Sequence, residues 1–204
     1  MTDKDTAKLN EQSHSEDVRT MNGVSNGKRE CIADMYDRNF DGVYKWVYAQ
    51  LGHDGEATKE VVQDVFMGAL KSSQNFSGRS SIRTWLLSIA SNKVADYYRK
   101  HQSRKENEIS VDGEDIPDVQ TKGAEFDDIE NTSEMKQLIS GTLDSLPLVY
   151  RQVLILKYQD DFSTGDIAAI INRTPKSVEN LLRRARVAFK NTYLKVERKN
   201  DGQH

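Results

Sequence analysis

Apolar residues recur at three- and four-residue steps over most of this chain and nowhere alternate with polar ones, so the pattern predicts helices and no half-buried strands. One helical block begins near Glu30 and carries Ile32, Met35, Tyr36, Phe40, Val43, Tyr44, Val47 and Leu51 as a core-facing stripe. Gly52-His53-Asp54-Gly55 then reads as a turn. The next helix, Lys59 to about Ser72, puts Val61, Val62, Val65, Phe66, Ala69 and Leu70 on one face and Glu60, Gln63, Asp64 and Met67 on the other. A third, Ile82 to about Lys105, turns Ile82, Leu86, Ile89, Ala90, Val94 and Tyr97 inward. A second block starts near Thr132 with Met135, Leu138, Ile139 and Leu143, and Leu146-Pro147 opens a further run through Val149, Val153, Leu154, Leu156 and Tyr158. The expectation is an all-α chain of two small helical domains, at 29–105 and 132–196.

Three segments lack this periodicity. Residues 1–28 are polar and nearly charge-balanced and are expected to be disordered. Residues 106–131 are acidic, hold Gly113, Pro117 and Gly123, and read as a flexible linker; 197–204 reads as a polar tail. The formal net charge of −3 over 204 residues hides an asymmetry, because 106–134 hold eleven acids against Lys122 alone. The remainder is therefore about +7, and it is local charge that phosphate binding responds to.

Cys31 is the only cysteine, which excludes an intrachain disulfide and a multi-cysteine zinc site. His14, His53, His101 and His204 have no ligand spacing. No nucleophile–base constellation, phosphate-cradling glycine loop or metal cluster is visible, so neither an enzyme nor a cofactor is expected. No apolar run approaches the roughly 20 residues of a membrane span and no secretory leader is evident, which places the expected site of action in the cytoplasm.

Two segments carry the chemistry. Ser163-x-x-Asp166 has capping-box spacing ahead of Ile167 to Ile171, Asn172 stands where the chain must turn, and Thr174-Pro175 supplies an N-cap with proline at the first helical position. A new helix therefore starts almost where the old one stops, the mark of a helix-turn-helix. Val178, Leu181, Leu182, Ala185 and Phe189 give its second helix a buried side, leaving Lys176, Ser177, Asn180, Arg183 and Arg184 near the exposed side to meet base edges and phosphates. Nine bases and two acids between Arg173 and Lys199 fit that use, although a solvated basic face would look the same.

The other segment is the loop Gln74-Asn75-Phe76-Ser77-Gly78-Arg79-Ser80-Ser81 with the helix after it. A base taken out of its stack needs a π-face and polar groups for its pairing edge, and this loop offers both. Phe76 is the candidate face, with a core role as its alternative; Trp85 reads as packing. Ser77, Gly78, Arg79 and Arg83 stand where a pocket or a phosphate would be, and Lys93, Tyr97, Arg99 and Lys100, with Arg104 and Lys105, exceed what helix capping requires.

The run from Glu60 through Phe66, Asn75-Phe76, and Ile82 through Arg99 resembles region 2 of the extracytoplasmic-function sigma factors of bacterial RNA polymerase, and Leu146-Pro147 through Ala188 resembles their region 4. The matches span roughly 32–104 and 134–194, in family order, with region 3 absent. The resemblance implies a subunit that directs core polymerase to promoter DNA. Glu60, Gln63, Asp64 and Met67 match positions contacting the clamp coiled coil of the largest subunit, with region 4 on the flap; without the resemblance, those four are simply a solvated face. Phe76 and Asn92 match positions that capture a flipped base of the −10 element, and Lys176, Ser177, Asn180, Arg183 and Arg184 match those facing the −35 element. Glu179 departs from the family by standing where a base is common, and Lys176 by replacing a common glycine. An anti-sigma partner and no membrane insertion are further implications, and the acidic linker is either a channel mimic or a spacer. An ordinary helix-turn-helix regulator of duplex operators is the alternative reading of the same residues.

Overall fold

The computed structural model describes residues 3–101 and 133–201, with side chains over 14–101 and 133–197. The expected acidic linker at 106–131, Arg104, Lys105 and residues 202–204 lie outside the described residues. Among those described, every regular element is helical: α1 (Asp3–Ser25), α2 (Arg29–Gln50), α3 (Gly55–Ser72), a 3-10 turn (Ser73–Asn75), α4 (Ile82–His101), α5 (Ser133–Asp144), α6 (Leu148–Leu154) running into one π turn (Ile155–Gln159), α7 (Thr164–Ile170) and α8 (Pro175–Asp201).

Helix α1 corrects the expectation of disorder over 1–28. Its last two turns pack on α2, burying Thr20, Met21, Gly23 and Val24. Gly23 is there because the two helices nearly touch: a Cβ at this position would collide with the Cys31 side chain. Helix α3 starts four residues before the expected Lys59, because Asp54 caps it by accepting from the Glu56 and Ala57 N–H groups at 3.0 and 3.1 Å. Gly52 and His53, with φ of 63° and 67°, make the reversal that precedes it. At the other end, α8 continues through Asp201, so 197–201 are helical where a tail was expected.

The first half is a bundle of α1–α4 around Met35, Val43, Trp46, Val47, Val61, Val65, Leu86, Ala90 and Val94. The second packs α5–α8 around Val153, Leu156, Ile167, Ile170, Val178, Leu181 and Ala185. The halves also pack on each other, α4 against α7 and α2 against α6. This second contact explains why α4 buries Leu87 and Ser91 as well as the expected Ile82, Leu86, Ala90 and Val94, while Ile89 and Tyr97 are only half-buried.

Arg151 sits at the centre of that contact, 6% exposed. Its guanidinium donates to the Leu143 and Asp144 carbonyls at 3.0 and 2.6 Å and to the Gln50 carbonyl at 2.7 Å. Two helix C-termini, those of α2 and α5, thus aim last-turn carbonyls and the negative ends of their dipoles at one cation whose planar fork reaches both. Tyr98 Oη adds a second donor to the Gln50 carbonyl at 2.7 Å, and Gln152 Nε2 donates to Ser91 Oγ at 3.2 Å.

Arg151→Met would keep most of the side-chain volume but remove all three guanidinium bonds; the Gln50 and Leu143 carbonyls keep the Tyr98 hydroxyl and the Leu146 N–H as donors, and the Asp144 carbonyl loses its donor, at about 1–3 kcal/mol for a buried group left unpaired. The expected outcome is separation of the halves with their helices intact: a larger radius of gyration in small-angle scattering at unchanged helical circular dichroism.

Candidate nucleic-acid interface

Helix α4 has three sides. Leu86, Ala90 and Val94 face the first-half core; Arg83, Leu87, Ser91 and Tyr98 form the stripe on which the second half rests; Trp85, Asn92 and Arg99, at seven-residue steps, form a third stripe. At 1.5 Å per residue Asn92 lies about 10 Å along the axis from Trp85. Asn92 and Arg99 are exposed. Phe76 packs edge-on against Trp85, ring centroids 5.5 Å apart at 72°, and is half-buried, so Trp85 is the packing residue expected and holds the Phe76 ring at the head of this stripe.

The loop between them turns through Gly78, whose φ is +67°. Ser77 and Arg79 are exposed. Lys93 reaches Asp64 Oδ2 on α3 at 3.6 Å, Arg99 pairs with Asp96, and Lys100 is exposed at the last turn. Both ion pairs are solvent-exposed, a class worth about 0–1 kcal/mol, so either cation is released readily to a phosphate. Tyr97 stacks on His101 with centroids 4.3 Å apart. Burial raises its phenol pKa, helped by the Asp54 and Glu60 charges, and leaves it a neutral donor.

Arg83 is the one member of this set that the second half holds. Its guanidinium donates to Asp160 Oδ1 at 2.9 Å and lies 4.8 Å from the centre of the Phe162 ring. Local pattern gave no signal for this grip, because the partners are 77 residues apart. On α3, Glu60, Gln63, Asp64 and Met67 form an exposed face, with Met67 47% exposed.

The helix-turn-helix follows its sequence signals. Ser163 Oγ accepts from the Asp166 N–H at 3.1 Å, Asn172 takes φ +52°, and Thr174 Oγ1 accepts from the Ser177 N–H at 3.2 Å with Pro175 opening α8. Val178, Leu181, Leu182 and Ala185 are buried, and Lys176, Asn180 and Arg183 lie on the opposite face. Ser177 and Arg184 flank that face and are half-buried. Lys176 pairs with Glu179 at 3.3 Å.

Two family models match the chain in order, Sigma-70 region 2 over residues 35–104 and Sigma-70, region 4 over residues 136–189. The ECF RNA polymerase sigma-E factor of Escherichia coli strain K12 is 33% identical over 137 residues, covering 65% of this chain and 71% of that protein. The chain belongs to the extracytoplasmic-function sigma factors. The sigma factor SigW of Bacillus subtilis strain 168 is 28% identical over 171 residues, covering 82% of this sigma factor and 91% of its own length. The sigma factor RpoE of Bartonella quintana, solved with the anti-sigma factor NepR, shares the fold at a TM-score of 0.57 and 22% identity, over 80% of this chain and 96% of that one. Nothing in these likenesses favours an ordinary helix-turn-helix regulator. No described helix of this sigma factor is long and apolar enough to cross a membrane.

The grip on Arg83 has a measurable sign. Burial pushes the Asp160 carboxyl above the ordinary carboxylate range, and the Arg83 charge and hydrogen bond offset this only in part. A folded pKa above the unfolded one means that the stability this group contributes is fully present below the ordinary carboxylate range and is lost as pH rises through the raised value. Asp160→Asn is therefore expected to unfold at a urea midpoint no lower than the parent's at neutral pH, with the advantage shrinking in mild acid. A lower midpoint at neutral pH would mean that the ion pair outweighs its burial.

Proposed function

We propose that this sigma factor directs core RNA polymerase to promoters by gripping DNA at two separated elements. Helix α3 docks on the clamp through Glu60, Gln63, Asp64 and Met67, and region 4 contacts the flap. The α8 face bearing Lys176, Asn180 and Arg183, flanked by Ser177 and Arg184, enters the major groove of the −35 element. Phe76 and Asn92 capture a base flipped from the −10 element, Phe76 by stacking on it. Ser77, Gly78, Arg79, Arg83, Lys93, Tyr97, Arg99 and Lys100 line the path of the separated strand. The observation that carries this reading is the bare third side of α4, with Phe76 seated on Trp85 at its head and Asn92 in line two turns below.

Magnitudes make the two-element arrangement necessary. Unstacking and flipping a base costs a few kcal/mol, and stacking it on an aromatic ring returns about 1–3. Capture alone is close to balance. Anchoring region 4 upstream and the polymerase on α3 raises the local concentration of the −10 element around Phe76 and tips that balance without ATP. The chain needs no covalent chemistry and no cofactor for this and works in the cytoplasm as a binding subunit, not an enzyme. An anti-sigma factor is its expected regulator, as NepR is the partner of the Bartonella sigma factor in the solved complex.

Phe76→Ala and Asn92→Ala are expected to reduce promoter opening in a permanganate footprint, for Phe76 by about fivefold or more given stacking worth about 1–3 kcal/mol, with holoenzyme assembly intact. Gln63→Ala with Asp64→Ala should do the reverse, weakening assembly on a native gel. Normal opening by both α4-side variants removes base capture from the mechanism.

A further inference from the structure

Helix α4 begins one residue after the loop that carries Phe76, so whatever holds the first N–H groups of α4 also fixes how that loop leaves it. Two side chains hold them. Ser81 Oγ, immediately before the helix, accepts from the Thr84 N–H at 3.1 Å, an ordinary local cap. The Ile82 N–H donates to Asp17 Oδ2 at 2.9 Å, across 65 residues of sequence. A carboxylate at that end is favoured by the helix dipole and makes a charge-assisted bond.

Helix α1 does more than deliver this one oxygen. It lies along the 3-10 turn Ser73–Asn75, and a Cβ added at Gly78 would stand 2.7 Å from Val18 Cγ2 and 3.8 Å from His14 Nε2. With φ of +67° as well, Gly78 is the residue the loop must have where α1 crosses it. The helix is itself tied down by buried Met21 and Val24 and by Thr20 Oγ1 donating to Asp34 at 3.5 Å. The loop is thus held by α1 in its middle, at Gly78, and at its root on α4, at Ile82.

We propose that Asp17 is a positioning residue for promoter opening: its cap on α4 sets where the Phe76 loop stands relative to the Asn92 stripe, and Asp17 itself touches no DNA. The proposal rests on the base-capture reading of Phe76. A capture site gains from being formed before the base arrives, and displacement by about 1 Å in such a site is worth up to about a hundredfold in rate. Removing the cap frees the Ile82 N–H and lets residues 77–81 take other paths out of the helix.

The test uses full-length protein reconstituted with core polymerase on a promoter found by run-off transcription of genomic fragments. Asp17→Ala, Asp17→Ser, Asp17→Asn, Phe76→Ala and Glu16→Ala are compared for permanganate reactivity, assembly on native gels, thermal unfolding and amide exchange at Ile82. Asp17→Ala is expected to lower opening about tenfold or more and to speed Ile82 exchange, with assembly unchanged. Ser and Asn, which also accept at a helix N-terminus, restore most of the opening, and Glu16→Ala leaves it at the parent level. Should Asp17→Ala open promoters normally while Phe76→Ala does not, the positioning role is overturned and base capture stands. Normal opening by Phe76→Ala overturns base capture and the proposal with it. A joint loss of opening, assembly and thermal stability that neither Ser nor Asn relieves makes Asp17 a packing residue and overturns the proposal as well.

Discussion

The structure depends on helix α4 being buried on two sides and bare on the third. A helix in a small bundle needs one apolar stripe, and a helix that also docks a second domain needs two. In α4 these are Leu86, Ala90 and Val94 toward the first half, and Leu87 and Ser91 toward the second. Roughly a third of its circumference is then left for Trp85, Asn92 and Arg99. The side chains that would meet DNA are fixed because the other two sides are occupied, and they are accessible because no described element covers the third.

Under the proposed function, the contact between the halves and DNA would compete for one residue, Arg83. Region 4 rests on α4 mainly through α7, with α6 adding Gln152 on Ser91 and Arg151 on Tyr98, and on the far side of the α8 core face Lys176 and Asn180 stay exposed and Arg183 half-buried. Of the −10 set, only Arg83 is drawn into the contact, between Asp160 and Phe162. Arg151, which closes the contact, bonds to carbonyls at helix ends and lies away from the Trp85, Asn92 and Arg99 stripe. Opening the halves would release Arg83 for DNA at the same moment as it frees region 4 to reach a distant element.

How much of this is legible in the sequence depends on how local each cause is. The helix-turn-helix was readable residue by residue, since Ser163, Asn172, Thr174 and Pro175 act within three positions of themselves. The stripe through Val61, Val65 and Phe66 was readable from period alone. Helix α1 was not, because among its described side chains the buried ones fall in the short stretch Thr20–Val24 of a long polar sequence and give no sustained period. Nor were Trp46 and Gln50, both buried beyond the expected α2 stripe, since α2 is covered from several sides by α1, α3, α4 and α6. The grip on Arg83 and the cap on Ile82 join residues 77 and 65 positions apart, a distance at which local pattern is silent.

Those two long-range bonds bracket the first turn of α4 and bear on it in opposite ways. Asp17 comes from a helix locked into the same bundle, so its bond to Ile82 persists whether or not region 4 is docked. Asp160 comes from the other half, and its burial already disfavours the charge that Arg83 requires of it. The cap is therefore the durable member of the pair and the ion pair the releasable one. Under the proposed capture of a base, a loop formed before the base arrives and an arginine given up as region 4 departs would call for one bond of each kind at the root of α4.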